Sequence, residues 1–243
     1  MLRVTPSDMV LMRPGARTPI FSYAAWARAA FDRDLAAAKD DDAGMPLTIR
    51  EIDVKPLSWL GNVISFSETT YTSIPDHEAH PAGESRLVTL LIDENAPSPG
   101  NAKPLSLTDY FDESAIYEAL RREEHVKRQL SPGDMPADLS ELVRALADRA
   151  PAIGGPCYSF PEDLLTRFAF EGMNGGVVRV DVGLPGTAIC REELTELALS
   201  LPAPARLNAA LRSATVGPAG FVAANRPAKL PSVHLRMTSD TRP

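Results

Sequence analysis

A chain of 243 residues with 44% hydrophobic and 23% charged side chains can bury a sizeable core, as one large or two small units. Its 22 prolines predict a loop-rich α+β fold, and the lack of any apolar run near ~18 residues excludes a transmembrane helix in this chain. The formal charge of −7 is uneven: from Ala203 onward Arg206, Arg212, Arg226, Lys229, Arg236 and Arg242 face only Asp240, so this end carries +5 and the preceding 202 residues −12. No aromatics interleave with those basic residues, so nucleic acid is not an expected partner. The tail reads as a short helix over 204–214 followed by a basic, partly disordered end.

In chain order, residues 1–20 read as irregular, broken by Pro6, Pro14, Gly15 and Pro19. They lack the apolar segment of a signal peptide, so an export or anchor segment is expected outside this chain, with a cytoplasmic location as the alternative. SYAAWARAAFDRDLAAAK (22–39) predicts an Ala-rich helix with its apolar stripe at Ala24, Trp26, Ala27, Ala30, Phe31 and Leu35. Its end should fray, because Asp40–Asp42 opposes the helix dipole. PLTIREIDVKPL (46–57) predicts a strand.

Residues 62–111 organise the rest. In NVISFSETTY, Val63, Ser65, Ser67 and Thr69 fall on one face and Ile64, Phe66, Glu68 and Thr70 on the other. A connection of about a dozen residues, holding His77, His80 and Pro81, leads to RLVTLLID, dense enough for a buried strand. ENAPSPGNAKP is turn chemistry, and Glu113–Leu130 predicts one helix. With the strand at 46–57 these runs predict an antiparallel meander against which the first helix packs. A helix over 137–150 follows, with Leu139, Leu142, Val143 and Leu146 at helical spacing. Strand runs at 160–170 and 177–184 flank Met173-Asn174-Gly175-Gly176, a hairpin signal. Val178, Val180 and Val182 share one face, opposite Arg179 and Asp181. ELTELALSLP (193–202) suits either a strand, by Leu197, Leu199 and Leu201, or a helix, by Leu194, Leu197 and Ala198.

The order and the wording of 62–111 resemble the extracytoplasmic domain of RsiV-type anti-sigma proteins, also found in lipoproteins and ahead of some peptidoglycan deacetylase domains. The resemblance rests on His77-Glu78-Ala79-His80-Pro81, on Asn101-Ala102-Lys103-Pro104 and on the following Leu-Ser-Leu-Thr-Asp-Tyr-Phe, and it spans roughly 21–204. The family's usual glycines are absent from both motifs. It implies a single two-lobed domain, one lobe about 21–111 and the other about 112–204, and it favours the strand for 193–202. It further implies a non-catalytic binding or sensor role outside the cytoplasm. In the best-known relatives the partner is lysozyme, and the acidic body here suits a basic protein or a cell-envelope ligand.

Residue chemistry names few sites. Tyr71, His77, His80 and Pro81 form a candidate binding loop. The two histidines beside Asp76 and Glu78 also admit a metal-dependent cell-wall hydrolase or deacetylase, although HEAH lacks the HExxH spacing. An immunity or assembly protein with only a protein partner is a third reading. His125 should lie on a solvated helix face. Among carboxylates, Glu68, Asp93 and Asp109 are candidates for a shared cleft. No nucleophile elbow, phosphate loop or dinucleotide fingerprint is present, and no cofactor is expected. Cys157 and Cys190, the only cysteines, are a candidate disulfide if the segment between them folds back, with two separate buried thiols as the alternative.

Overall fold

The computed structural model describes residues 1–38, 48–73, 82–93, 100–130, 133, 135–149, 157–186, 194–216 and 232–239. The fold is α+β, with antiparallel sheets. The N-terminus departs from its irregular reading. Strand β1 (Leu2–Thr5) pairs with β2 (Asp8–Leu11) in a tight hairpin, and β2 pairs with β3 (Phe21–Ser22). Pro6 is no breaker here. It sits in the turn, where its fixed φ and missing N–H cost nothing, and Thr5 Oγ1 accepts from Asp8 N at 3.1 Å. Met9 and Leu11 are buried beneath the hairpin.

Helix α1 (Tyr23–Ala38) follows directly, and the hairpin caps it. Asp8 accepts from Ala24 N at 2.9 Å and from Ser22 Oγ at 2.7 Å, while Ser22 Oγ accepts from Ala25 N at 3.1 Å. Otherwise orphaned N–H groups of the first turn are thereby satisfied. Trp26, Ala27 and Phe31 of the predicted stripe are buried.

The expected meander is β4 (Ile49–Leu60), β5 (Val63–Ser73) and β6 (Ala82–Ile92), extended by the short β7 (Ala102–Pro104). Gly61, at φ +64°, opens the two-residue turn between β4 and β5. Pro56 is accommodated by a bulge, where the register slips between Pro56 and Ser58. The two faces of β5 separate as the alternation predicts. Ile64 and Phe66 pack under α1, whereas Val63 turns to the other side.

Between the sheets' strands come three helices, α2 (Glu113–Leu120), α3 (Glu124–Gln129) and α4 (Leu139–Ala147). The single helix expected over 113–130 is therefore broken at Arg121–Glu123. Arg122 N and Glu123 N close tight turns onto Ala119 O and Leu120 O, and Glu123 then takes an extended backbone before α3 restarts. Ile116, Leu120, Val126 and Leu130 all reach one core. The second sheet has the order β10-β9-β8, from β8 (Phe168–Asn174), β9 (Val177–Pro185) and β10 (Leu194–Pro202). Gly175 and Gly176, at φ +57° and +80°, form its hairpin turn. The strand run expected from Phe160 begins only at Phe168; a 3-10 turn at Leu164–Thr166 precedes it. Residues 194–202 are a strand, with Leu197, Leu199 and Leu201 buried. After α5 (Asn208–Val216), β11 (Val233–Thr238) returns to pair with β4, giving the first sheet the order β11-β4-β5-β6-β7. Part of the tail expected to be disordered is thus a strand.

Two hydrophobic cores result. One lies among α1, the N-terminal hairpin and the facing side of the five-stranded sheet, around Phe21, Tyr23, Phe31, Phe66 and Val233. The other gathers α2 to α5 on the sheet β8–β10, and reaches Leu60 and Val63. Buried polar groups join the sheets between them. Phe170 N donates to Ser65 Oγ at 3.3 Å, Ser65 and Thr89 hydroxyls lie 2.9 Å apart, and Thr89 Oγ1 donates to Phe168 O at 2.5 Å.

Candidate binding cleft

A cleft of about 480 Å³ opens between α1 and the half of the sheet where β4, β5 and β6 run under it. Its position follows from the side chains of that face. Near the turn of β4 and β5 the face is Ile64 and Phe66, which the helix covers. Further along it becomes Glu68, Thr70 and Thr72, which pack no core, so α1 and the sheet stand apart there. Trp26, Ala27, Ala30 and Asp34 of the helix form one wall, and Arg50, Ile52, Glu84 and Arg86 complete the sheet side.

Glu68 is the centre of the floor, 3% exposed. Tyr23 donates its hydroxyl to one carboxylate oxygen. Arg86, its direct cross-strand partner, donates Nε at 2.9 Å and Nη2 at 2.6 Å to the other. Burial, then the charge and hydrogen bond of Glu68, hold the Tyr23 hydroxyl protonated far above the ordinary phenol range. For Arg86 burial alone would lower the guanidinium, but the charge and hydrogen bonds of Glu68 outweigh it and raise it. Around this pair, Arg50 Nη1 meets Asp34 at 2.8 Å, and Arg167, reaching across from the second sheet, meets Glu84 at 2.8 Å and Asp163 at 2.7 Å. The Nε of Arg50 is buried and has no hydrogen-bond partner among the described residues. The cleft therefore offers an aromatic wall, hydroxyls, a fixed carboxylate and guanidinium groups.

Of the site residues named from sequence, Glu68 lies in the cleft, and the other described ones do not line it. Tyr71 lies on the opposite face of β5, in a separate polar depression with Asp53, Lys55, Ser67 and Thr69. His77, His80, Pro81 and Cys190 lie outside the described residues, and so do Asp76 and Glu78. Cys157 is not a free thiol. The other two carboxylates do not join Glu68. Asp109 accepts from Ser106 N at 2.8 Å in a capping box, and Asp93 lines a third depression with Asn101 and Lys103. His125, expected to be solvated, lies edge-on to Tyr158 at 5.0 Å between ring centres. His234 pairs with Asp53 at 2.8 Å. Among the described residues no group of three or more His, Cys, Asp or Glu side chains could hold a metal.

What sequence reading missed is Tyr23, Trp26, Arg50 and Arg86. The signal was there in part. Glu68 continues the face of Ile64 and Phe66, and an acid on an otherwise buried face needs partners. No family model, curated protein or solved structure matches the chain.

Proposed function

We propose that the protein is a non-catalytic binding or sensor domain acting outside the cytoplasm, and that the cleft under α1 is its ligand seat. The observation that carries this reading is Glu68. Sinking a carboxylate into the floor of a concave site costs stability that an apolar residue would not, and such groups recur where ligands bind. Tyr23 and Arg86 occupy both of its oxygens, so the carboxylate is held rigidly in the floor. The cleft is of the size that takes small polar molecules or the tip of a larger partner.

The test is differential scanning fluorimetry of the full chain with small-molecule and cell-envelope fractions, together with calorimetric titration of lysozyme at low salt. Both are repeated on Ala30→Phe, which fills the cleft from the helix side. A ligand that raises Tm or binds the wild type and not the variant supports the seat. One that acts equally on both places binding elsewhere.

The extracytoplasmic location carries its own check. The backbone beside Cys157 pairs with the chain four residues ahead of Cys190: Tyr158 bridges Gly186, and Ser159 N donates to Pro185 O at 3.0 Å. Cys157 thus lies one residue before, and Cys190 four residues after, a paired position, which supports a Cys157–Cys190 disulfide in an oxidising compartment. Mass spectrometry of protein exported to a periplasm should find both cysteines protected from alkylation until reduced. Two alkylatable thiols there would overturn the bridge.

A further inference from the structure

We infer that the cleft under α1 takes a neutral, hydroxyl-rich ligand of the size of a mono- or disaccharide. The inference rests on the reading of that cleft as a binding seat and adds its ligand class.

Charge decides against the alternatives. The lining holds three acids, Asp34, Glu68 and Glu84, and two bases, Arg50 and Arg86, so an anion meets a wall of net negative charge. Every one of those charges already has an opposite partner within the protein: Arg50 with Asp34, Arg86 with Glu68, and Glu84 with Arg167. An anionic, cationic or zwitterionic ligand therefore finds no uncompensated counter-charge among them, and at Glu68 the pair is buried. A neutral ligand needs none.

Paired groups still have hydrogen-bonding capacity. A carboxylate presents about four lone-pair sites and a guanidinium five N–H donors, of which each ion pair here uses only some. Side by side along the sheet, Thr70, Thr72, Arg86 and Glu84 set acceptors beside donors, and vicinal hydroxyls are donor and acceptor at once. Arg50 lines the cleft with a guanidinium whose Nη1 is the nitrogen engaged by Asp34. Opposite lies Trp26, whose ring, with Ala27 and Ala30, gives the C–H face of a sugar ring an apolar surface. A volume of about 480 Å³ accommodates one or two such rings.

The chain has two tryptophans, so Trp59→Phe leaves Trp26 as the only indole and makes its emission a report on the cleft. In that background the probes are glucose, N-acetylglucosamine and maltose, with glycylglycine, citrate and spermidine as zwitterionic, anionic and cationic controls. The expected result is a saturable change in Trp26 emission with at least one saccharide and none with the charged probes. Arg50→Lys, which keeps the charge but loses the planar fork of donors, should weaken that saccharide about tenfold. Ala30→Phe should abolish the response; if it fails to fold, Thr70→Val takes its place, with a weaker response expected.

Saturation by a charged probe with all saccharides silent overturns the ligand class and leaves the binding seat standing. Saccharide binding of equal strength in Ala30→Phe overturns both. Silence of every saccharide overturns the inference even if the fluorimetry finds another ligand for the seat.

Discussion

Glu68 shows how one acid can be both a liability and an anchor. Replacing Glu68 with Leu leaves the Tyr23 hydroxyl and the Arg86 guanidinium without their acceptor. Loss of one partner of a fully buried pair costs about 3–5 kcal/mol. Arg86 is 41% exposed and keeps some water, so a loss of about 2–4 kcal/mol is expected for Glu68→Leu by urea denaturation. Adding Tyr23→Phe and Arg86→Met to that variant removes the orphaned groups and should restore most of the stability. A Glu68→Leu midpoint equal to wild type would show that the network contributes nothing. Asp181 poses the opposite case. Burial, then Glu171 and Glu196, raise it from 3.8 to about 6, against the opposing pull of Arg179. A folded-state pKa above the unfolded one means the ionised carboxylate is disfavoured by folding. The penalty is absent below about pH 4, grows between pH 4 and 6, and is complete above. Asp181→Asn should accordingly raise Tm at pH 7.5 by roughly 2–4 °C, about 1 kcal/mol after allowance for its solvent-facing side, and change little at pH 4. An equal shift at both pH values would assign the gain to something other than charge.

At the scale of elements, the hairpin turn of β8 and β9 gives a clean measurement. Gly176 has φ +80°, and a Cβ added there meets nothing within 4 Å. Gly176→Ala should therefore cost only the backbone term, about 1 kcal/mol, with the strand pairing intact; a cost near zero would mean that the turn relaxes freely. This turn, the first helix, the meander and the Leu139–Leu146 stripe were legible because each is fixed by local spacing or by a residue that tolerates positive φ. What escaped the sequence depends on partners distant in the chain. VHLRMT at 233–238 is a strand because β4 has an edge to offer, and no local turn signal announces it. The N-terminal hairpin has four-residue strands and a proline that reads as a breaker until the turn around it is known. The helix break at Arg121–Glu123 has no glycine or proline, and the apolar residues on either side of it share one helical face, so nothing in the local pattern marks it. The cleft was half legible. The face bearing Glu68 follows from alternation in β5, but that Trp26 and Tyr23 would stand over it requires the tertiary packing of α1.

Across the whole molecule, a short file of hydroxyls joins the two sheets between the cores, beside the Arg167–Glu84 ion pair and the packing of Leu60 and Val63. Thr89 donates to Phe168 O, so it must accept from Ser65; Ser65 in turn accepts from Phe170 N. Each hydroxyl thus gives and receives one hydrogen bond, and a single orientation of the two protons satisfies all four groups. Thr89→Val preserves shape but removes a donor and an acceptor together. The Phe168 carbonyl and the Ser65 proton are then buried unpaired, at a cost of about 1–3 kcal/mol. Because the loss falls between the cores, it should also loosen their coupling. Both tryptophans report on the first core, whereas the far-ultraviolet circular dichroism signal reports on both. Wild-type unfolding in urea should give coincident curves by the two probes. Thr89→Val should separate them, and Thr89→Ser, which retains the hydroxyl, should keep them together. Coincident curves at the wild-type midpoint for Thr89→Val would mean that the other contacts alone join the sheets.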